Sequence, residues 1–262
     1  MTTAIVTRRE YLSPQRRLII ARSVASSVVG IIPVPFLDDW AKAAVLGGGY
    51  RRIAAAHGVD IDDEAITQLV HGKSAPAKLS DMAVSGIAYR IASLAAKRMM
   101  LAITAVNRAR AASRTFVTMT LFDHYCTKLH TGLALDAGTA LALREEIERA
   151  IAQTPGALSF APFRRGVLSA ARATLRAPLE LADIATRGAV RRLLTKKSEV
   201  TDAEVVDTVE EAMETALANK SGFLSKTVAA VETQLSADAN PFLDTVIDNF
   251  DRRWRAYMAA KK

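Results

Sequence analysis

Leu18–Arg52, LIIARSVASSVVGIIPVPFLDDWAKAAVLGGGYRR, is the stretch on which the fold turns. Two apolar arms rich in alanine, serine and glycine meet at Pro33-Val34-Pro35, and Phe36, Leu37 and the acidic pair Asp38-Asp39 follow at once. The pattern predicts a helical hairpin. Ser13-Pro14 has the chemistry of a helix start, a serine N-cap with proline in the first helical position, so the first arm is expected to run to about Ile32. The second arm runs from Phe36 to His57 and ends at Gly58. Within it, Gly47-Gly48-Gly49 costs roughly 1 kcal/mol per glycine relative to alanine and marks either a break or a close helix–helix contact.

The hairpin is not a membrane span by this reading. A spanning helix needs about 20 mainly apolar residues, and the longest uncharged run, Ser23–Leu37, has 15 and carries both prolines. An aspartate at mid-bilayer costs about 2.5–3.5 kcal/mol, which disfavours deep insertion of a tip bearing Asp38 and Asp39, with Arg22 and Lys42 on the arms. The expectation is a close-packed pair, buried in a bundle or lying shallowly at an interface, with the acidic pair capping the second arm.

The rest of the chain reads as helices joined by turns, with a loop at Lys73–Leu79 around Pro76. Half of the 262 residues are apolar but only 6% are aromatic, and good helix formers dominate. Asp60 is expected to cap a short helix over Ile61–Val70, and long helical patterns cover Asp81–Ala112, Thr115–His130 and Ala137–Gln153. Pro162–Lys197 is a basic helical segment bent near Pro178, and the capping box Thr201-Asp202-Ala203-Glu204 opens the next helix. Phe223–Leu235 follows, then a last helix begun by Asn240-Pro241 with Leu243, Val246, Phe250, Trp254 and Tyr257 on one face. No strand is expected. The fold class is all-α, a bundle of about nine to eleven helices. The recurrence of Pro35-Phe36-Leu37-Asp38 as Pro241-Phe242-Leu243-Asp244 reads as shared helix-start chemistry rather than duplication.

Charge divides the chain. Residues 1–197 carry a net +13 and residues 198–262 a net −5; 164–197 alone holds nine basic and two acidic residues. A basic part, 1–197, and acidic C-terminal helices, 198–262, packed on it as one unit follow as the expected organisation. Arg165, Arg172, Arg176, Arg187 and Arg191 succeed one another at offsets of 7, 4, 11 and 4 and would share one helix face. That face has three readings: a solvated surface, a site for anionic lipid headgroups, or a nucleic-acid groove. Base stacking calls for interleaved aromatics and only Phe160 and Phe163 stand nearby, and nucleic acid ranks below lipid because the apolar arms also suggest membrane contact.

Catalytic and metal motifs are sparse. No Walker loop, HExxH or CxxC pattern occurs, so no cofactor is expected. Asp123, Cys126 and His130 fall at i, i+3 and i+7, one helix face, where carboxylate, thiolate and imidazole can ligate zinc or a histidine can activate a thiol. A buried cysteine beside surface-edge histidines is the preferred reading. The single cysteine excludes an internal disulfide and fits a reducing compartment, and the start, MTTAIVTRREYLSPQRR, has no signal-peptide pattern.

Ile31-Ile32-Pro33-Val34-Pro35-Phe36-Leu37-Asp38, then Tyr50-Arg51-Arg52-Ile53-Ala54 and His57-Gly58-Val59, resembles the domain of unknown function found in bacterial inner-membrane proteins of the YcjF type and attached to some Era-like GTPases, the DUF697 group. The resemblance spans Ala21–Ile66, and most of Asp81–Lys262 has no counterpart in it. It implies a helical hairpin associated with membranes or with a GTPase partner, and a protein that is not an enzyme. The expected function is that of a cytoplasmic interaction or scaffold protein, peripheral at the inner membrane. Its partners would be an anionic membrane surface or another protein, with a homo-oligomer open; nucleic-acid binding through Arg165–Arg192 is the alternative.

Overall fold

Residues 9–29, 37–74, 97–158, 161–166, 211, 213–219, 222–238 and 240–261 are described by the computed structural model. Among them the chain is an all-α bundle. Seven α-helices of nine or more residues occur: α1 (Ser13–Val29), α2 (Leu37–Ala56), α3 (Asp63–His71), α4 (Lys97–Lys128), α5 (Ala137–Gln153), α6 (Phe223–Ser236) and α7 (Asp244–Ala260). Shorter helical pieces lie at 161–166 and 213–218, and a 3-10 turn, Glu10–Leu12, leads into α1.

Helix α1 is the axis of the core. Every side chain from Ile19 to Ser27 is buried, Arg22 included. Helices α2, α4 and α6 pack around it. A helix covered on all sides must satisfy its polar groups internally. Ser23, Ser26 and Ser27 do so by donating to the carbonyls of Ile19, Ser23 and Val24 at 2.7, 3.1 and 2.7 Å. The described part of the first arm is therefore interior. Ser13 proves to be no N-cap, because the 3-10 turn runs straight into the helix and its hydroxyl donates backwards to the Glu10 carbonyl at 2.7 Å.

The glycine triplet stays helical. A Cβ on Gly49 would stand 2.4 Å from Met119 Cε and 3.3 Å from Arg22 Cγ, and one on Gly47 would stand 3.1 Å from Ile66 Cγ2. Close approach of α2 to α1, α3 and α4 explains the triplet. Arg22 reaches along the same seam to donate to the Val45 carbonyl at 3.2 Å, and Tyr50 sets its ring edge-on to Phe122 at 4.9 Å. Pro33 and Pro35 lie outside the described residues, and Asp38 and Asp39 stand in the first described turn of α2.

Two junctions share one construction that sequence reading does not anticipate. After α2, Gly58 (φ 67°) turns the chain and Val59 N–H donates to the Ala54 carbonyl, a Schellman closure. Asp60–Ile61 then forms β1, and Asp62 caps α3 by accepting from Ala65 N–H at 2.7 Å. After α4, Gly132 (φ 107°) precedes β2, Ala134–Leu135, and Asp136 caps α5 through Thr139 N–H at 2.9 Å. The two strands pair in parallel, Asp60 opposite Ala134 and Ile61 opposite Leu135. This minimal sheet corrects the expectation of no strand. Asp60, expected as the cap, lies within β1, and the cap falls to Asp62, whose extended backbone points its carboxylate at the helix start.

Other boundaries shift for local reasons. The patterns expected at Asp81–Ala112 and Thr115–His130 join, where described, into the continuous α4, since Ser113-Arg114 contains no helix breaker. The last helix opens at Asp244 rather than at Pro241: Leu243 takes the left-handed conformation (φ 55°), and Asn240 Oδ1 accepts from Asp244 N–H at 2.9 Å. The capping box at Thr201 lies outside the described residues.

The C-terminal helices complete the core. Leu224, Val228, Val231 and Leu235 of α6 and Val246, Ile247, Phe250 and Trp254 of α7 are buried in the same apolar cluster as α1 and α4. The acidic segment meets basic residues of the first part through Arg9 with Asp244 and Asp248, and through Arg52 with Glu214. Among the described residues, no helix is long and apolar enough to cross a membrane.

Candidate functional site

The last turns of α4 carry Phe122-Asp123-His124-Tyr125-Cys126, all of them buried. Helix geometry sends consecutive residues to different sides, so Asp123 and His124 face different neighbours. Toward α2, the turn at Gly58 brings His57 to the Asp123 carboxylate, where Nε2–H donates to Oδ1 at 2.6 Å; the Thr127 hydroxyl lies 3.3 Å from the same nitrogen. On the other side, the Tyr11 hydroxyl donates to His124 Nδ1 and His124 Nε2–H donates to Asp251 Oδ1 of α7 at 2.6 Å. Arg255 stands 3.9 Å from the other oxygen of Asp251. Arg9, 2% exposed, extends the network by pairing its Nε with Asp244 at 2.5 Å.

Aromatic rings enclose these groups. Phe250 meets the His124 ring edge-on at 6.4 Å, Trp254 meets Tyr125 edge-on at 5.2 Å, and Tyr125 meets His130 at 5.5 Å. Burial pushes the Asp123 carboxyl above its ordinary range, against the opposing hydrogen bond and charge of His57. For Asp251, burial also acts upward. The His124 hydrogen bond, together with the charges of His124, Arg255 and Arg9, overcomes it and holds the carboxyl below its usual range. Tyr11 is raised to about 12 by burial. Burial likewise drives the Cys126 thiol far upward, with the Asp123 charge adding to it, so the sulfur stays protonated and poorly nucleophilic.

The trio Asp123, Cys126 and His130 is divided among different partners: Asp123 holds His57, His130 Nδ1 pairs with the Tyr125 hydroxyl at 3.1 Å, and Cys126 is packed in the core. Among the described residues, no three histidine, cysteine, aspartate or glutamate side chains stand close enough to hold a metal ion. The functional groups that sequence spacing misses are Tyr11, His57, Asp251 and Arg9, which reach α4 from 66 to 127 residues away or join it through α7. Their one sequence-level signal is a pair of polar residues, Asp123-His124, set among Phe122, Tyr125 and other large apolar side chains.

The chain matches no protein-family model, no curated protein and no solved structure.

The basic segment begins on a fixed register. Phe163 is buried with its ring 5.4 Å from that of Phe116, and Gly166 is set so tightly against Val231 of α6 that a Cβ would come within 2.4 Å of its Cγ2. Between these two anchors Arg164 and Arg165 are exposed. Arg172, Arg176, Arg187 and Arg191 lie outside the described residues. Elsewhere, α5 and α7 border a groove lined by Glu146, Asn249, Arg252, Arg253, Ala256 and Tyr257.

Proposed function

We propose that this chain is a non-enzymatic helical interaction protein that associates peripherally with an anionic membrane surface through the arginine face opening at Arg164-Arg165. The observation that carries this reading is the register of 161–166: Phe163 and Gly166 hold the segment to the core while both arginines face water. In sequence, four further arginines follow Arg165 at helical offsets, and each basic residue near an anionic leaflet adds about 1 kcal/mol of attraction. His57, His124, His130 and the buried cysteine support a structural role for the network, since each is engaged by internal partners or apolar packing. Ile19–Ser27 of the first arm is core, so that stretch supplies the scaffold rather than the contact. A cytoplasmic site at the inner membrane, with a GTPase or other protein partner bound there, follows from the resemblance of Ala21–Ile66.

Flotation of the full chain with vesicles containing phosphatidylserine, against vesicles of phosphatidylcholine alone, tests the reading. Binding to the anionic vesicles at low salt is expected, weakened roughly 30-fold by the double change Arg164→Ala/Arg165→Ala, two contacts at about 1 kcal/mol each. Equal binding to both vesicle types, or none to either, overturns it. Retention on DNA with a steep salt dependence, in the absence of vesicle binding, would transfer the face to nucleic acid.

A further inference from the structure

We infer that the groove between α5 and α7 is a binding site for a phosphate ester with an apolar or aromatic body. The groove is open along one side and offers about 480 Å³. Its floor is a buried carboxylate, Glu146, 5% exposed, already neutralised from two sides: Arg149 donates to Oε1 and Arg253 Nε stands 2.8 Å from Oε2. Arg253 is held further by donating from Nη1 to Gln153 Oε1 at 2.8 Å, so its fork is fixed. Asn249, the groove's other polar wall, is tied to Thr154 Oγ1 at 3.0 Å and to the Ala150 carbonyl. Arg252, next along the helix, is exposed and has no hydrogen-bond or ion-pair partner among the described residues.

Two guanidinium groups line the groove, Arg253 fixed and Arg252 exposed, and a guanidinium suits the planar, multidentate recognition of phosphate better than a point charge does. A cation is disfavoured, because the one carboxylate of the groove already faces two arginines. Beside the arginines the wall turns apolar. Ala256 leaves space, and the Tyr257 ring, backed by Trp254 at 5.2 Å, is positioned to pack an ester group. Residues 249, 252, 253, 256 and 257 recur at helical spacing, so one face of α7 supplies most of the site. The groove uses neither Arg164 nor Arg165. The same chemistry serves a soluble phosphate ester or the headgroup of a phosphatidic-acid-like lipid.

Calorimetric titration of the full chain with phenyl phosphate is the test, with vesicles containing phosphatidic acid as a second arm. Phenyl phosphate is expected to bind more tightly than inorganic phosphate, and Arg252→Gln to weaken it roughly tenfold or more. Since Arg252 has no hydrogen-bond or ion-pair partner among the described residues, the variant is expected to keep its thermal stability. Ala256→Leu, which fills the groove without changing charge, is expected to weaken binding as well, while Arg164→Ala/Arg165→Ala leaves phenyl phosphate binding unchanged. Vesicle binding lost in Arg252→Gln, with no response to phenyl phosphate, assigns the site to a lipid headgroup. Absence of binding in both arms, or binding that neither groove variant alters, overturns the inference.

Discussion

Asp123 and Asp251 are both carboxylates bonded to a histidine across a helix interface, yet their surroundings drive them in opposite directions. Asp123 is fully enclosed and keeps one oxygen, Oδ2, without a hydrogen-bond partner, so burial dominates and its carboxyl is raised. Asp251 is met by His124, Arg255 and Arg9, and is lowered. The signs follow by linkage. A carboxylate depressed in the folded state contributes stability above its unfolded pKa and loses it as the pH falls through the folded value. Asp251→Asn should therefore destabilise the protein at neutral pH by about 1.5–3 kcal/mol, the usual worth of a hydrogen bond to a charged group. The gap between variant and parent should close below the ordinary carboxylate range; urea titrations across pH check this. A raised carboxylate behaves in the opposite sense: its favourable contribution is present below its unfolded pKa and disappears as pH rises through the folded value. Asp123→Asn, which keeps a polar partner for His57, should consequently cost less at neutral pH than Asp251→Asn.

The two strand-and-cap junctions give the elements their order. Gly58-Val59-Asp60-Ile61-Asp62 and Gly132-Leu133-Ala134-Leu135-Asp136 turn, pair and cap in the same register, and they deliver α3 and α5 side by side. Their caps differ in reach. Asp136 accepts from both the backbone and the hydroxyl of Thr139 (2.9 and 2.6 Å), which holds its carboxyl below the usual range. Replacing Asp136 or Asp62 by alanine should cost about 1 kcal/mol each, and the Asp136 cost should vanish as that carboxylate is protonated in acid; thermal unfolding at two pH values measures both. Most of this element structure is legible in the chain. Ala137–Gln153 is read to the residue, its end marked by Thr154-Pro155-Gly156, and α7's apolar face is read correctly from its spacing. The start of α7 is not, since Leu243 adopts positive φ only because Asn240 and the core on which Leu243 packs hold it there.

For the molecule as a whole, the decisive fact is that the acidic C-terminal helices belong to the core of the basic part. Leu224, Val228, Val231, Leu235, Val246, Ile247, Phe250 and Trp254 are buried in the shared cluster. At roughly 1.5–3 kcal/mol per buried large apolar side chain, these eight contribute about as much as, or more than, the roughly 5–15 kcal/mol by which a domain is ordinarily stable. A chain truncated after Lys197 should thus fail to unfold cooperatively and should bind a hydrophobic dye. A sharp thermal transition in that fragment would show that residues 1–197 stand alone.

Composition, apolar periodicity and the glycine and proline stops determine by themselves that this is a helical bundle and where most of its helices run, because those are properties of neighbouring residues. The hairpin stretch Leu18–Arg52 illustrates the limit of that reading. Its small, apolar arms are equally suited to an interface and to a core, and only the packing of α2, α4 and α6 around α1 decides that the described first arm is interior. The polar site is settled in the same way. Asp123, Cys126 and His130 share a face by spacing, but Asp123's partner is His57, His124's are Tyr11 and Asp251, and the nearest of these links spans 66 residues. Hydrogen bonds form between atoms brought within about 3 Å, and for residues so far apart in the chain only tertiary packing fixes that distance.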